Sequence, residues 1–212
     1  MRDIPIFTTE YGVASITLKE IPYKGEAYIR IQSALDAKAL IQTCRDFCNA
    51  AGAEHIYITG HPSVETYPLH TSIVKMAANR SAICDTDAIL IPVSTETISR
   101  WCALYNQKMM HIPNASYMST NDASKILDRG GAYFIEKDDK CIGIGAIDSN
   151  TVEAIASISP GAGKDVLAAL CSKISADTVC LEVATANKKA VQFYKWQGFM
   201  ECSVISTWYI IK

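Results

Sequence analysis

Residues 179–184, VCLEVA, form a nearly continuous apolar run with helical text on both sides. A strand that is apolar on both faces must be covered on both faces. Helical crossovers before and after it are the common way for a chain to do this. The preceding helix is expected at about 163–175, with Leu167, Leu170, Cys171 and Ile174 on one stripe. The following helix is expected from Asn187 to about Gln197, with Gly198 as its stop. Upstream, three strand-like runs stand at 132–138, 141–148 and 152–159. The first two are read as a hairpin around a tight Asp-Lys turn, and Pro160 and Gly161 end the third.

Before these runs, AILIPV reads as a strand, and STETISRWCALYNQKMM reads as a helix capped by Ser94 or Thr95. Ile98, Trp101, Cys102 and Tyr105 fall on one face of it. A second short helix is expected at 119–128, with Thr120 or Asn121 near its cap, and Gly130-Gly131 breaks the chain. Residues 86–212 therefore read β-α-α-β-β-β-α-β-α-β, an α/β chain with a mixed sheet.

The first third reads β-β-β-α-β-α. Strand text covers 4–8, 11–18 and 27–31. A helix capped by Ser33 carries Leu35, Ala39, Leu40, Cys44, Phe47 and Cys48 on its apolar stripe, HIYITG follows as a strand, and a helix is expected at 69–79. A joint at 82–86 divides the chain into 1–85 and 86–212. The order strand, strand, helix, strand in the first part matches that of 141–184, which suggests a reduced half-copy of the second part.

Composition narrows the function classes. The 212 residues carry 20 Lys and Arg against 22 Asp and Glu, a formal net charge of −2. No basic stripe is supplied for nucleic-acid phosphates. The longest apolar runs fall well short of the roughly 20 residues a spanning helix needs. The opening MRDIPIFTTE lacks the apolar stretch of a signal peptide, so the expected location is the cytoplasm. The eight cysteines include no CxxC pair, so no metal is expected and most are read as small core residues. Cys44 and Cys48 share a helix face without a further ligand nearby.

The stretch Asn187-Lys-Lys-Ala190-Val-Gln-Phe193-Tyr194-Lys-Trp-Gln-Gly198-Phe199 resembles the C-terminal motif of the GCN5-related N-acetyltransferase (GNAT) superfamily. The preceding strand and the order of elements from residue 86 onward are similar to that family as well. The resemblance implies an acyl-CoA N-acyltransferase-like fold. It also implies acetyl-CoA as co-substrate and direct transfer of an acetyl group to a primary amine of a small molecule or peptide. In the family the pyrophosphate is cradled by backbone N–H groups at the helix start after the third strand. Here that position holds Ile158, Ser159, Pro160, Gly161, Ala162, Gly163, Lys164 and Asp165.

This loop departs from the family pattern. A Gly-x-Gly is present, but no Arg or Gln stands before it, and Asp165 adds a negative charge where phosphates should sit. The alternative is a degenerate acyl-CoA-binding or structural member, with the loop an ordinary turn capped by Ser159.

The resemblance makes Tyr194 the donor of a proton to the departing thiolate, a role a phenol suits. It could equally be a packing residue beside Phe193. Asn187 would hold the cofactor or only cap its helix. Candidates for the general base are Glu153, on the third strand and sharing a face with Ile155 if that strand has no bulge, and Glu182, an acid within an apolar central strand. Trp101, Tyr105, Met109, Met110, Tyr117 and Met118 are available to shape an acceptor site, with Trp101 read as core. The closing VISTWYIIK is apolar enough to pair with a second chain, so a homodimer is a further expectation.

Overall fold

The structure is a computed structural model, and it describes residues 5–212. The chain forms two compact units. One comprises the chain through Ile73 together with Val204–Lys212, and the other is Val74–Ser203. The change of unit thus falls within a strand after Ile73 rather than at 82–86, and the last residues return to the first unit.

The first unit is built on β1 (Ile6–Thr9), β2 (Gly12–Thr17), the single turn α1 (Ile21–Lys24), β3 (Glu26–Ala34), α2 (Ala37–Ala50) and β4 (His55–Thr59). It also takes the first part of β5 (Leu69–Asn79) and the last part of β11 (Met200–Ile210). Ile4, expected at the start of the first strand, lies outside the described residues. β2 pairs antiparallel with β3, and α2 carries the chain over to β4, which lies parallel to β3. Ile29, Ile31, Leu40, Cys44, Cys48, Ile56 and Ile58 make the core between sheet and helix.

Two expectations fail here. The cap of α2 is Asp36, whose carboxylate accepts from the Ala39 N–H at 3.0 Å, because β3 extends through Ser33 and postpones the helix. Leu35 therefore lies in the turn, 90% exposed, and off the buried stripe. Residues 69–79 are a strand, not a helix. Val74, Met76 and Ala78 are buried at steps of two. The Ser72 hydroxyl meets that of Thr207 at 3.1 Å, and the Ile210 N–H donates to Pro68 O. β-Branched residues at 71, 73 and 74 favour this outcome over the helical spacing that the same apolar residues also satisfy.

The second unit contains β6 (Ile89–Pro92), α3 (Ile98–Met109), α4 (Thr120–Leu127), β7 (Ala132–Lys137), β8 (Lys140–Asp148), β9 (Thr151–Ser157), α5 (Gly163–Ser172), β10 (Thr178–Ala184) and α6 (Lys188–Trp196). Its sheet order is β5-β10-β9-β8-β7-β6. β6 to β9 are antiparallel neighbours, and β10 lies parallel to β9 across α5. This is the mixed α/β arrangement expected for residues 86–212. The order and pairing sense of β8, β9, α5 and β10 repeat those of β2, β3, α2 and β4.

Local chemistry sets the ends. Ser119 caps α4, its hydroxyl accepting from the Asp122 N–H at 3.1 Å, one residue ahead of the expected cap. The residue before α3 is Thr97, whose side chain makes no capping bond to the helix. The hairpin turn after β7 is Asp138-Asp139, not Asp-Lys, and both residues have positive φ, 51° and 58°. Five of the eight cysteines are buried and all are free. Among the described residues, no helix is long and apolar enough to cross a membrane, and no group of three metal-ligating side chains is found.

α5 lies tight on β8 because β8 offers glycines there. A Cβ on Gly145 would stand 2.4 Å from Leu170 Cδ1 and 2.6 Å from its Cδ2, and one on Gly143 would stand 2.4 Å from Val166 Cγ2. Leu170 and Val166 are fully buried and have little room to retreat. Gly145→Ala is expected to destabilise the second unit by about 1–3 kcal/mol through overpacking. Urea unfolding should show a lower midpoint with an unchanged slope.

Candidate active site

The site begins with a defect in the sheet. β9 and β10 pair only at Thr151 with Cys180 and Val152 with Leu181. Beyond that point, Glu153–Ser157 of β9 and Glu182–Ala184 of β10 have no mutual register, although both strands continue. In the first unit, by contrast, β4 is paired with β3 along its whole length, from His55 to Thr59.

Two local causes open the second pair. First, the register of β8 with β9 passes from Ile147–Val152 to Ala146–Ala154, so Glu153 is an extra residue, a β-bulge. The condition under which Glu153 would share a face with Ile155, a strand without a bulge, is therefore not met. Val152 and Ile155, three apart, pack on the α5 side, while Ala154 and Ala156 pack on the α3 and α4 side. Bulges bend a strand and interrupt pairing. Second, continued register would set Glu153 directly beside Glu182, and like charges at adjacent positions oppose pairing.

The bulge also determines which backbone groups face the gap. The Ile158 N–H donates to Ile142 O of β8 at 2.8 Å. By antiparallel alternation Ala156 and Ala154 also face β8, and the N–H groups of Ile155 and Ser157 point the other way, into the opening toward β10.

At the end of β9 the chain turns into α5. Ala162, the residue before the helix, offers no side-chain cap. Its own N–H donates to Ser159 O at 3.3 Å. The N–H groups of Gly161, Gly163, Lys164 and Asp165 find no acceptor among the described residues. These are the orphan donors of a helix start, at its positive end. Gly161 supplies the positive φ, 80°, that the turn requires. Ser159, Pro160, Gly161, Ala162 and Asp165 line a cleft of about 430 Å³, with Lys137, Asp138, Lys140 and Ile142 from the β7–β8 hairpin as its other wall.

The Asp165 carboxylate is already engaged. It accepts from the Thr86 hydroxyl at 2.7 Å and lies 3.4 Å from Lys137 Nζ. Lys137 also pairs with Asp87 at 2.7 Å, and that ammonium holds the Asp87 carboxyl below its usual range. Lys164 and Lys140 are exposed. Lys137, Lys140 and Thr86 were absent from the sequence-derived site. The lysines come from the β7–β8 hairpin and Thr86 from the segment before β6, and only the hairpin's contact with the β9–α5 loop, through Ile142 O, brings the lysines there.

The remaining candidates separate. Asn187 caps α6, its side-chain oxygen accepting from the Ala190 N–H at 3.3 Å. Tyr194 is 7% exposed, with ring centroids 5.4 Å from Phe193 and 5.9 Å from Phe199. Burial pushes its phenol up to about 12. Its hydroxyl makes no hydrogen bond to the described residues. Phe193 bridges to the cradle, because a Cβ on Gly163 would stand 3.5 Å from its ring. Glu153 lies 3.2 Å from Arg129 in an ion pair. Glu182 is exposed at the first position of β10 beyond its register with β9, on the sheet face opposite Leu181 and Val183.

On the α3 and α4 side of the sheet, Trp101 is fully buried, and Tyr105, Met109, Met118, Ala154 and Ile158 pack against the same buried cluster. Asn106 ties the segment leading into α4 by two bonds to the Met118 backbone, of 2.9 and 2.8 Å. The arrangement fits an acyl-CoA. Free N–H donors at a positive helix end stand beside exposed lysines, and a gap between parallel strands has inward-facing amides.

No protein-family model and no curated protein matches the sequence. Solved structures do. A conserved protein of unknown function from Staphylococcus epidermidis superposes with a TM-score of 0.60 at 12% identity, over 99% of this chain and 94% of that one. A GNAT-family acetyltransferase from Colwellia psychrerythraea gives 0.53 at 10% identity, over 98% and 84%. A GCN5-related N-acetyltransferase from Anabaena variabilis gives 0.61 at 14% identity, over 94% of this chain and 59% of that one. With its open β9–β10 pair and uncapped α5, the chain has the fold of the GCN5-related N-acetyltransferase superfamily.

Proposed function

We propose that the second unit moves an acetyl group from acetyl-CoA to a primary amine of a small molecule or peptide by direct transfer. The observation that carries this reading is the opening between β9 and β10, beside a helix start whose N–H groups lack acceptors. The N–H groups of Gly161, Gly163, Lys164 and Asp165 hold the pyrophosphate, with Ile158, Ala162, Lys164 and Lys140 around it. Acetyl-CoA supplies an activated acyl group. The Ile155 or Ser157 N–H donates to the carbonyl oxygen as negative charge develops there. Glu182 takes the proton of the substrate ammonium, directly or through water, so that the neutral amine attacks. Tyr194 gives its proton to the departing thiolate and regains one from the acylated nitrogen, and Asn187 fixes the start of α6 that carries it.

A second reading, a non-catalytic acyl-CoA-binding or structural protein, is favoured by one observation, the acidic Asp165 in the first turn of α5. Titration calorimetry with acetyl-CoA and with coenzyme A separates the two. Micromolar binding is expected, weakened about tenfold in Lys140→Ala or Lys164→Ala and strengthened in Asp165→Ala. Absence of binding at millimolar acetyl-CoA would overturn the transferase reading.

A further inference from the structure

The bulge at Glu153 is held from outside the strand. Arg129, just after α4, directs its guanidinium three ways. Nε donates to Lys125 O of α4 at 3.3 Å, Nη1 pairs with Asp148 at the end of β8, and Nη2 pairs with Glu153 Oε2 at 3.2 Å. The next residues grip the same place. The Ile147 N–H, beside the register shift, donates to Gly131 O at 2.7 Å, and a Cβ on Gly131 would stand 2.3 Å from Ile147 O. The Tyr133 hydroxyl closes the turn on Gly130 O at 2.6 Å.

We propose that Arg129 is a positioning residue which keeps β9 and β10 apart by anchoring the extra residue Glu153 to the end of β8. The inference rests on the acetyltransferase reading for its catalytic consequence, but the opening itself is a property of the fold. With the anchor in place, the Glu153 side chain is held at the end of β8, and at the mouth of the gap Glu182 presents a carboxylate with no ion-pair partner among the described residues. The bulge then sets the alternation that turns the Ile155 and Ser157 amides inward. Without the anchor, the extra residue is free to shift along β9 and those amides lose their aim. The ion pairs are partly exposed, at 45% for Arg129 and 33% for Glu153, and such pairs contribute little to global stability. The effect therefore falls on geometry.

The test compares Arg129→Ala, Arg129→Lys and Glu153→Gln with the wild type. In Arg129→Ala, hydrogen exchange read by mass spectrometry should change in 153–157 and 182–184 and not in α2 or β3. The affinity for coenzyme A should stay within about threefold, because the phosphate cradle is untouched. The preference for acetyl-CoA over coenzyme A should fall, and turnover should drop about 10- to 100-fold, since only the aim of the carbonyl donors is lost. Lys, a single point charge, should recover only part of this. Unchanged exchange at both strands in Arg129→Ala would overturn the proposal, and so would wild-type turnover in that variant. If Arg129→Ala does not fold, Glu153→Gln with Asp148→Asn removes the same anchor and is judged by the same readouts. A wild type that binds neither form of the cofactor would sink the transferase reading, and the exchange measurement would still decide the role of Arg129.

Discussion

Tyr194→Phe is expected to lower the rate of acetyl transfer by about 100-fold or more while leaving the fold intact at neutral pH. The two halves of this result have separate causes. On the proposed mechanism the rate falls because the departing thiolate loses its proton donor. The fold survives because the hydroxyl has no hydrogen-bond partner among the described residues, so its removal orphans nothing. The ring contacts with Phe193 and Phe199 are retained by phenylalanine. A packing role alone predicts no change in rate, and steady-state kinetics therefore discriminate the two.

The same substitution has a signature in alkali. Burial raises the Tyr194 phenol from its ordinary value near 10 to about 12 in the folded chain. Above pH 10 the unfolded chain releases this proton and the folded chain retains it. Stability is thus fully present below about pH 10 and is lost as pH rises to about 12, by on the order of 3 kcal/mol for this group. Phenylalanine has no proton to lose. Tyr194→Phe should melt within about 2 °C of the wild type at pH 7 and should become the more stable of the two near pH 11. Equal alkaline losses in both proteins would mean that the phenol reaches solvent.

Much of the second unit was legible because its signals are local. Each of β7, β8 and β9 is bounded by Gly-Gly, Asp-Asp, Asn or Pro-Gly, and the stripes of α5 and α6 are unambiguous. Residues 69–79 failed because Ile73, Val74 and Met76 satisfy both periods, and the decision was made by Thr207 and Ile210, far away in sequence. Leu35 failed because the extension of β3 was invisible, and a shift of the cap by three residues moved it out of the stripe. The strand-to-helix turn from Ile158 to Asp165 was readable as a run, since a loop is contiguous. Lys137, Lys140 and Thr86 beside it were not, because they belong to the β7–β8 hairpin and the segment before β6, distant in sequence. The bulge at Glu153 escaped for a deeper reason. An inserted residue leaves no mark in TVEAIAS, where either parity places small or apolar side chains on both faces. Arg129 was hidden with it, since its role exists only once β8, β9 and α4 are assembled.

The largest effect on stability is expected at Trp101, and it tests whether the α3 face is as well packed as it looks. The side chain is fully buried, its indole N–H donates to Tyr133 O at 3.1 Å, and its ring stacks on Tyr105 with centroids 5.6 Å apart. Truncating it removes a large apolar side chain from between α3 and β7 and leaves a buried carbonyl without that donor. Trp101→Ala should therefore cost about 3–5 kcal/mol, most of it from the cavity. Trp101→Phe keeps most of the volume and loses the hydrogen bond, so a smaller cost of about 1–3 kcal/mol is expected. Hydrogen exchange should locate the loss in α3, β7 and β8. Trp208, buried against Tyr28 in the first unit, remains as a fluorescence reporter there and should keep its native emission at urea concentrations that have already unfolded the Ala variant's α3 face. If both signals collapse together, the two units unfold as one cooperative block, and the whole cost at Trp101 then appears in a single midpoint. If they separate, α3 and the sheet face it covers can loosen while the β3–α2–β4 unit stays folded.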